Sequence, residues 1–223
     1  MNFKHDPIDL GYDDLTTEPH NGKRFYVTPE GKRYPSVTTV LGVRNRESIQ
    51  KWRARVGEEE ANRISSFAAS RGTRVHTMVE RYLDNRDDYL EKSNQLTRLN
   101  FSTMQPVLDE RIGTVVAQEV PLYSNHLGLA GRVDCIAEFD GRLSIIDFKT
   151  SRKEKKEEWI TNYFIQASFY AAAFYERTGI AIKQGGIIIT VDGSEPQGFK
   201  VNTFDYLQHF VAVREKYREL QGI

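Results

Sequence analysis

The sequence contains one cysteine, Cys135, among 223 residues. A single thiol excludes an intramolecular disulfide framework, a structural zinc site built from several thiolates and the four-cysteine ligation of an iron–sulfur cluster. Long hydrophobic runs are also absent, since none approaches the roughly 18 residues of a membrane span. Residues 1–22 have neither the apolar core of a signal peptide nor an arginine-rich transit pattern. We therefore expect a cytoplasmic protein without a membrane partner.

The sequence has no net charge, because 31 lysines and arginines balance 31 aspartates and glutamates. Zero net charge argues against a nucleic-acid-binding protein, but the distribution of charge matters more than its sum. Residues 1–22 are acidic, whereas residues 23–55 carry nine basic side chains against two acidic ones, and a second basic run covers residues 152–156. Such patches can follow a phosphate backbone, and they can equally be solvated surface.

Length and composition predict a single folded domain. Hydrophobic residues make up 39% of the chain, and 12 Phe and 11 Tyr provide material for a core. The order of expected elements predicts an α/β fold with a central mixed sheet flanked by helices. We expect an acidic N-terminal segment at residues 1–22 and one domain at residues 23–223, with a hairpin and helical part at residues 23–112 and the sheet core at residues 113–223.

Hydrophobic periodicity and turn residues predict the positions of the elements. A β-hairpin is expected at residues 23–34, followed by a short helix with Ser36 as its N-cap. Residues 84–98 are polar and predict a loop. The other expected helices lie at residues 58–83, 101–111, 157–177 and 205–220, and the other expected strands lie at residues 115–123, 130–139, 143–149, 186–191 and 198–201.

Two acidic motifs lie on expected strands that a tight turn joins. Gly131-Arg132-Val133-Asp134 lies within one strand, and Asp147-Phe148-Lys149 ends the next. The turn at Asp140-Gly141 makes the strands antiparallel neighbours and sets residue 134 opposite residue 147. Opposed side chains on one face of a sheet have Cβ atoms about 5 Å apart. We therefore expect the carboxylates of Asp134 and Asp147 to lie close together.

Two carboxylates at that separation repel each other unless a cation lies between them or one of them takes a proton. A hard divalent cation is the natural occupant, Mg²⁺ or Mn²⁺ as one or two ions, and the backbone carbonyl of Phe148 can be a further ligand. Lys149 lies two residues beyond Asp147 and points to the same face. Its ammonium group can hold an attacking water or stabilise charge on a phosphoryl oxygen. Without the opposing Asp134, the tripeptide Asp147-Phe148-Lys149 would indicate only an exposed strand end with a salt bridge.

Four motifs in order carry a family resemblance. They are Gly72-Thr73-Arg74-Val75-His76, Gly131-Arg132-Val133-Asp134, Asp147-Phe148-Lys149-Thr150-Ser151 and Gln166-Ala167-Ser168-Phe169-Tyr170. Their order and spacing resemble the RecB-type branch of the PD-(D/E)XK nucleases, and within it the mitochondrial genome maintenance exonuclease family and its phage relatives. The resemblance covers the chain from about residue 33 to the C-terminus.

The resemblance implies a restriction-endonuclease-like fold and a metal-dependent exonuclease. Its expected substrate is single-stranded or end-bearing DNA, in replication, recombination or repair. His76 would be a metal ligand in addition to Asp134 and Asp147, and Lys149 would be the catalytic lysine. Gln166 and Tyr170, which share a helix face at i and i+4, would lie beside the active site and contact the strand or the lysine. We expect a monomer that works beside replication or recombination proteins in a bacterial or phage-infected cell.

Several further side chains have two interpretations on the residues alone. His76 adjoins the apolar stripe of its helix and could be a packing histidine, and Glu80, one turn later, could orient its ring. Gly72 is costly inside a helix by about 1 kcal/mol relative to alanine, which suggests a close approach of the helix to the sheet or to substrate. Glu119 could lie near the lysine or pair with Arg132.

Candidate DNA contacts come from the basic and hydroxyl-bearing segments. For Ser36, a role as a helix N-cap is an equally good explanation. They are Ser36, Thr38, Trp52, Arg53, Arg55, Arg74, Thr150, Ser151 and Arg152.

Three other functions remain open at this stage. The same scaffold could be a structure-specific, flap-type endonuclease, or a non-catalytic DNA-binding module that kept the fold. A small-molecule phosphohydrolase is a third alternative, which the basic segments disfavour.

Overall fold

Two β-sheets and five α-helices make up the fold in the computed structural model, which describes residues 2–20, 22–91 and 93–222. The small sheet contains β1 (Thr16–His20), β2 (Lys23–Val27) and β3 (Arg33–Pro35). The large sheet contains β4 (Ile112–Ser124), β5 (Leu129–Phe139), β6 (Arg142–Ser151), β7 (Gln184–Val191) and β8 (Gln197–Asn202). The helices are α1 (Val37–Val56), α2 (Glu58–Leu83), α3 (Gln95–Arg111), α4 (Thr161–Thr178) and α5 (Leu207–Gln221).

The small sheet is built on the predicted hairpin. β2 and β3 pair antiparallel with Tyr26 opposite Tyr34. Gly31, in the turn between them, has φ of +76°, a left-handed conformation that glycine adopts without strain. β1 pairs with the other edge of β2. The hairpin prediction is confirmed, whereas the strand at Thr16–His20 was not predicted.

The large sheet has the strand order β4-β5-β6-β7-β8. Its neighbouring strands are antiparallel except β6 and β7, which are parallel. Parallel neighbours need a crossover connection, and α4 lies in the segment that makes it. The predicted central mixed sheet flanked by helices is confirmed.

The alternation of side chains along the strands divides the core between the two faces of the large sheet. Ile145 belongs to a buried cluster with Phe169 of α4, to which α1 and α5 also contribute. Its neighbour Ile146 belongs to a second cluster with Val79 of α2 and Met104 of α3. Helices α1, α4 and α5 therefore cover one face of the sheet, and α2 and α3 cover the other.

The helix after Ser36 is longer than predicted. The side chain of Ser36 caps it as expected, because Ser36 Oγ accepts a hydrogen bond from the Thr39 N–H at 3.1 Å. The prediction of a short helix is wrong, since α1 has 20 residues. Most residues after Leu41 are exposed, so no apolar stripe marks the second half of this helix in the sequence.

Two other boundaries differ from the prediction for local reasons. The loop predicted at residues 84–98 ends early, because Asn94 caps α3 by accepting a hydrogen bond from the Thr97 N–H at 2.9 Å. Lys92, within that predicted loop, lies outside the described residues. The helix predicted at residues 157–177 is interrupted, since a 3₁₀ turn at Glu157–Trp159 precedes α4. Among the described residues, no helix combines the length and apolar character that crossing a membrane demands.

The acidic N-terminal segment lies along the edge strand β4. The Asp6 N–H donates to the Val115 carbonyl at 2.9 Å, and Tyr12 Oη donates to the Pro121 carbonyl at 2.8 Å. Phe3 is buried in the cluster on the α2 side of the sheet. An edge strand with free backbone groups is prone to pair with other chains, and this segment covers part of that edge.

Candidate active site

The register of β5 and β6 sets two carboxylates opposite each other. Cys135 pairs with Ile146 and Ile136 with Ile145, which is the register expected from the turn at Asp140-Gly141. One step further along the strands, Asp134 comes opposite Asp147. Asp134 Oδ2 accepts a hydrogen bond from the Phe148 N–H at 2.8 Å, so this carboxylate is held against the neighbouring strand.

A third carboxylate extends this row onto β4. Gln118 pairs with Cys135 and Val120 with Val133, so Glu119 comes opposite Asp134. Glu119, Asp134 and Asp147 therefore occupy matching positions on three consecutive strands.

A histidine approaches the row of carboxylates from α2. His76 Nδ1 lies 3.6 Å from Asp134 Oδ2 and 4.0 Å from Glu119 Oε1. One ligand atom from each of these three side chains lies within 4.8 Å of the other two. His76 is thus positioned as a possible metal ligand and is not a core histidine.

Lys149 is held beside Asp147 on the same face of β6. Its Nζ donates to Asp147 Oδ1 at 2.5 Å and lies 5.1 Å from the centre of the Tyr163 ring on α4. The predicted alternation of D-x-K is therefore found in the side-chain geometry.

The donor set fits a hard divalent cation. Asp147 is only 2% exposed, and its Oδ2 has no hydrogen-bond partner among the described residues. A buried carboxylate oxygen without a partner costs free energy, and a cation shared with Asp134 would satisfy it. Carboxylate oxygens and one imidazole are ligands that Mg²⁺ and Mn²⁺ accept.

Burial and mutual repulsion change the acidity of two of these carboxyl groups. Burial raises the pKa of Asp147 to about 6, although the Lys149 ammonium acts in the opposite direction, and Asp134 adds to the rise. Burial also raises the pKa of Glu119 to about 7, again with a contribution from Asp134. Burial would lower the pKa of Lys149, but the neighbouring carboxylates outweigh it and raise that pKa. The carboxyl groups of Asp147 and Glu119 therefore keep their protons to a higher pH than exposed carboxyl groups do.

These shifts predict that the metal-free protein loses stability as the pH rises from about 4.5 to about 7. A carboxyl group with a higher pKa in the folded chain keeps its proton longer when folded, so the unfolding free energy falls with pH between the two pKa values. For Glu119 this window runs from 4.5 to about 7, and for Asp147 from 3.8 to about 6. The measurement is the unfolding midpoint in chelator across this range.

Two variants test the assignment of this pH dependence. Glu119→Gln should flatten the fall in unfolding midpoint, because glutamine does not titrate. Glu47→Gln, at an exposed position of α1, should leave the fall unchanged. An equal slope in wild type and Glu119→Gln would contradict the assignment.

Glu119 also has an unusual backbone conformation. Its φ is +47°, a left-handed value that costs a residue with a Cβ about 1–2 kcal/mol. Backbone strain of this kind persists where the surrounding structure holds it and is common at functional sites. The two predicted alternatives for Glu119 were a position near Lys149 and a pair with Arg132. The structure shows a contact with Arg132 through the backbone, since the Glu119 carbonyl accepts a hydrogen bond from the Arg132 guanidinium, while the carboxylate faces His76.

Helix α4 contacts β5 at Arg132 through Tyr170, and Gln166 lies beside Tyr170 on the same helix. Tyr170 Oη donates to the Arg132 carbonyl at 2.7 Å, and Gln166 Nε2 lies 3.4 Å from that hydroxyl. Gly131 permits this approach, since a Cβ there would lie 2.9 Å from Tyr170 Oη and 2.8 Å from Val37 Cγ1. Tyr170 thus contacts β5, one of the two predicted alternatives, and Gln166 contacts Tyr170.

A cavity of about 460 Å³ opens over the carboxylates. Nine of the predicted site residues line it: Ser36, Thr38, His76, Glu80, Glu119, Asp134, Lys149, Gln166 and Tyr170. Asp147 and Phe148 are buried beneath it and do not line it.

The remaining predicted DNA contacts do not line this cavity. They are Trp52, Arg53, Arg55, Arg74, Thr150, Ser151 and Arg152. Some have local partners, since the Arg53 guanidinium pairs with Glu58 and donates to Asn62 Oδ1 at 2.6 Å, and Arg74 donates to Ser70 Oγ at 2.7 Å.

Gly72 lines the cavity. The sequence suggested that a glycine inside this helix allows a close approach either to the sheet or to substrate. Apart from the backbone of its own helix, no atom of the described residues lies within 4 Å of the position that a Cβ would take at Gly72. The expected close approach of this helix to the sheet is therefore wrong at Gly72, and the space beside it belongs to the cavity.

Two lining features were missed or undervalued in the sequence. Glu119 could have been found from the turn at Asn125-His126-Leu127-Gly128, because a turn centred there sets residue 119 opposite residue 134 in the same way that Asp140-Gly141 sets the next pair. Arg24 and Tyr26 of β2 also line the cavity, and no local pattern indicated that the small sheet would reach it.

Comparison with known proteins gives a consistent set of similarities. A sequence profile of the PD-(D/E)XK nuclease superfamily matches residues 44–219. Mitochondrial genome maintenance exonuclease 1 of Homo sapiens is 29% identical over 180 residues, which cover 72% of this chain and 50% of the human protein. The Xenopus tropicalis protein of the same name is 30% identical over 129 residues, which cover 54% of this chain and 37% of that protein. The chain thus spans half the length, or less, of these curated relatives.

A solved structure of a protein from Eubacterium rectale is also similar to this chain, with 16% sequence identity and a TM-score of 0.42. The similar region covers 67% of this chain and 64% of the Eubacterium rectale chain.

Proposed function

The chain belongs to the PD-(D/E)XK nuclease superfamily, and from this premise we propose that it is a DNA exonuclease dependent on Mg²⁺ or Mn²⁺. The observation that carries the proposal is the orphaned, buried Asp147 Oδ2 beside Asp134 and Lys149, under a cavity open to substrate. An ion pair kept only for stability would not need an unsatisfied buried oxygen or a second carboxylate across the strand pair.

The proposed ligands of the metal are Asp134, Asp147 and the Phe148 carbonyl, with His76 as a further ligand. When bound, a divalent ion lowers the pKa of a water molecule and offsets the charge that develops on the phosphoryl group. Hydrolysis would form a bond from the water oxygen to phosphorus and break one phosphorus–oxygen bond of the DNA backbone. The sugar oxygen would leave with the electron pair of that bond and take a proton from solvent.

The protein side chains have separate tasks in this proposal. The Lys149 ammonium, held by Asp147, donates to the attacking water or to a non-bridging phosphoryl oxygen. Glu119, whose carboxylate lies 4.0 Å from His76 Nδ1 and in line with Asp134, is placed to accept the proton of the attacking water. Tyr170 fixes the backbone of β5 at Arg132, two residues before Asp134, and so helps to hold that carboxylate in place.

The proposed substrate is single-stranded or end-bearing DNA, processed in replication, recombination or repair. The names of the curated relatives support an exonuclease. Because the chain matches only part of those proteins, end dependence is the feature that most needs an experiment.

Digestion of end-labelled linear DNA and of covalently closed circular single-stranded DNA tests the proposal directly. Linear DNA should be degraded with Mg²⁺ or Mn²⁺ and protected by a chelator, while circles persist. Degradation of circles at a similar rate would replace the exonuclease with an endonuclease. No degradation, together with no Mn²⁺ binding by calorimetry, would indicate a non-catalytic DNA-binding module.

Gly72→Ala should raise thermal stability while lowering the rate of DNA degradation. Alanine stabilises a helix interior by up to about 1 kcal/mol relative to glycine, and no protein atom opposes the added methyl group. If the cavity holds substrate, the methyl group displaces the DNA backbone, and misplacement of reacting groups by about 1 Å can cost up to about 10²-fold in rate.

Gly42→Ala is the matched control, because Gly42 is also inside a helix with no atom within 4 Å of its Cβ position but does not line the cavity. It should raise the unfolding midpoint to a similar extent and keep the wild-type rate. Equal rates for the two variants would argue that substrate does not use the space beside Gly72.

A further inference from the structure

Arg24 is a cavity-lining cation without a partner in the described part of the chain. Two other cationic side chains line the cavity, Arg132 and Lys149. Lys149 bonds to Asp147, and Arg132 bonds to Asp14 and to the Glu119 carbonyl. No carboxylate or hydrogen-bond acceptor of the described residues contacts the Arg24 guanidinium, and Arg24 is exposed.

The strand geometry of β2 directs Arg24 towards the cavity. Side chains two residues apart lie on the same face of a strand, and Tyr26, two residues after Arg24, is 2% exposed and also lines the cavity. Tyr26 packs against Tyr123 and Ala130 of the large sheet. The face of β2 that carries Arg24 is therefore the face turned to the large sheet.

Backbone contacts fix Arg24 relative to the carboxylates. The Ser36 N–H donates to the Arg24 carbonyl at 2.9 Å, and Ser36 itself bridges to Ala130 of β5. Ala130 precedes Asp134 by four residues on the same strand, which is roughly 13–14 Å of extended chain. The backbone of Arg24 is thus fixed several residues along β5 from Asp134, and its side chain lines the same cavity as His76 and Asp134.

The carboxylates that line the cavity would repel DNA, and Arg24 adds a positive charge beside them. Glu80, Glu119 and Asp134 line the cavity, so a polyanionic strand is repelled there unless cations offset the carboxylates. A free guanidinium binds phosphate through two parallel charge-assisted hydrogen bonds.

We propose that Arg24 forms a phosphate subsite that binds a non-scissile backbone phosphate of the DNA strand. This inference rests on the proposed function, because it identifies how that substrate is held. Arg24 lies outside residues 44–219, the part matched by the superfamily profile.

Salt-dependent binding of a fluorescent single-stranded oligodeoxythymidylate tests the subsite without cleavage. Binding is measured in chelator over a series of salt concentrations for wild type, Arg24→Ala, Arg24→Lys and Arg33→Ala. Arg24→Ala should weaken binding about tenfold and reduce the slope of log K against log salt by about 0.7, the value for one phosphate contact on a single strand. Arg24→Lys should keep the slope, because it keeps the charge.

Arg33→Ala is the matched control. Arg33 lies on the adjacent strand of the same sheet, pairs with Glu18, and lines a different cavity. Its removal should leave the slope and affinity at wild-type values. Equal losses for the two alanine variants would show diffuse attraction and overturn the subsite, as would an unchanged slope in Arg24→Ala.

The failures of the two proposals can be told apart. If no DNA is cleaved under any condition but oligonucleotide binding depends on Arg24, the subsite stands and the nuclease proposal falls. If DNA is cleaved and Arg24→Ala binds like wild type, only the subsite falls. Absence of measurable binding by the wild-type protein overturns the subsite as well.

Discussion

Asp147→Asn is expected to abolish DNA degradation while making the metal-free protein more stable. The substitution keeps the shape of the side chain and the acceptor for Lys149 but removes the charge that a metal ion needs. Metal ions contribute several kcal/mol to transition-state stabilisation, and each 1.36 kcal/mol is about tenfold, so we expect a loss of at least about 10³-fold. The metal-free protein gains stability at pH 7.5, because the raised pKa of Asp147 means that folding disfavours its ionised form.

The two readouts are the single-turnover rate with Mn²⁺ and the unfolding midpoint in chelator. In a protein of this size, each kcal/mol of relieved repulsion should raise the midpoint by about 2–4 °C. Asp87→Asn, at an exposed position, makes the same change in net charge and should alter neither readout. An inactive Asp147→Asn protein that is also destabilised would mean that this carboxylate is part of a structural ion pair and not a strained metal ligand.

Gly131→Ala should have the second largest effect, on both stability and activity. The added Cβ would lie 2.8 Å from Val37 Cγ1 and 2.9 Å from Tyr170 Oη, so α1 and α4 must move away from β5. Overpacking of this kind costs about 1–3 kcal/mol. Because Asp134 lies three residues later on the same strand, we expect the degradation rate to fall well beyond the fraction of unfolded protein.

A second glycine of the large sheet provides the comparison for that variant. A Cβ at Gly186 would lie 3.0 Å from the Phe139 ring, which belongs to the cluster on the α2 side of the sheet. Gly186→Ala should lose stability similarly but retain its rate per folded molecule. Equal loss of rate in the two variants, measured at a temperature where both are folded, would show that crowding at Gly131 acts only through stability.

The basic patches of the sequence predicted several DNA contacts that do not line the cavity. Arg53 pairs with Glu58 on the surface, and neither Arg53 nor Arg55 lines the cavity. Arg24 belongs to the same basic stretch and does line it. Net charge along a stretch of sequence does not distinguish them, because the partner of each guanidinium depends on how distant elements pack.

The positions of Asp134, Asp147 and Lys149 could be predicted from the sequence. A tight turn at Asp140-Gly141 sets the register of two adjacent strands, and side chains alternate between the faces of a strand with a period of two. Both rules involve residues close together in the chain, so they hold before any long-range packing is known. The N-cap at Ser36 was predictable for the same reason, since it depends on one side chain and the first turn of its own helix.

Only the tertiary structure decided what surrounds those carboxylates. The approach of His76 from α2, the contact of Tyr170 with β5 and the entry of Arg24 from the small sheet each join elements far apart in sequence. Burial then determined the acidity of Glu119 and left Asp147 Oδ2 without a partner. Such contacts and solvation energies are sums over side chains from many segments, so no local pattern of residues contains them.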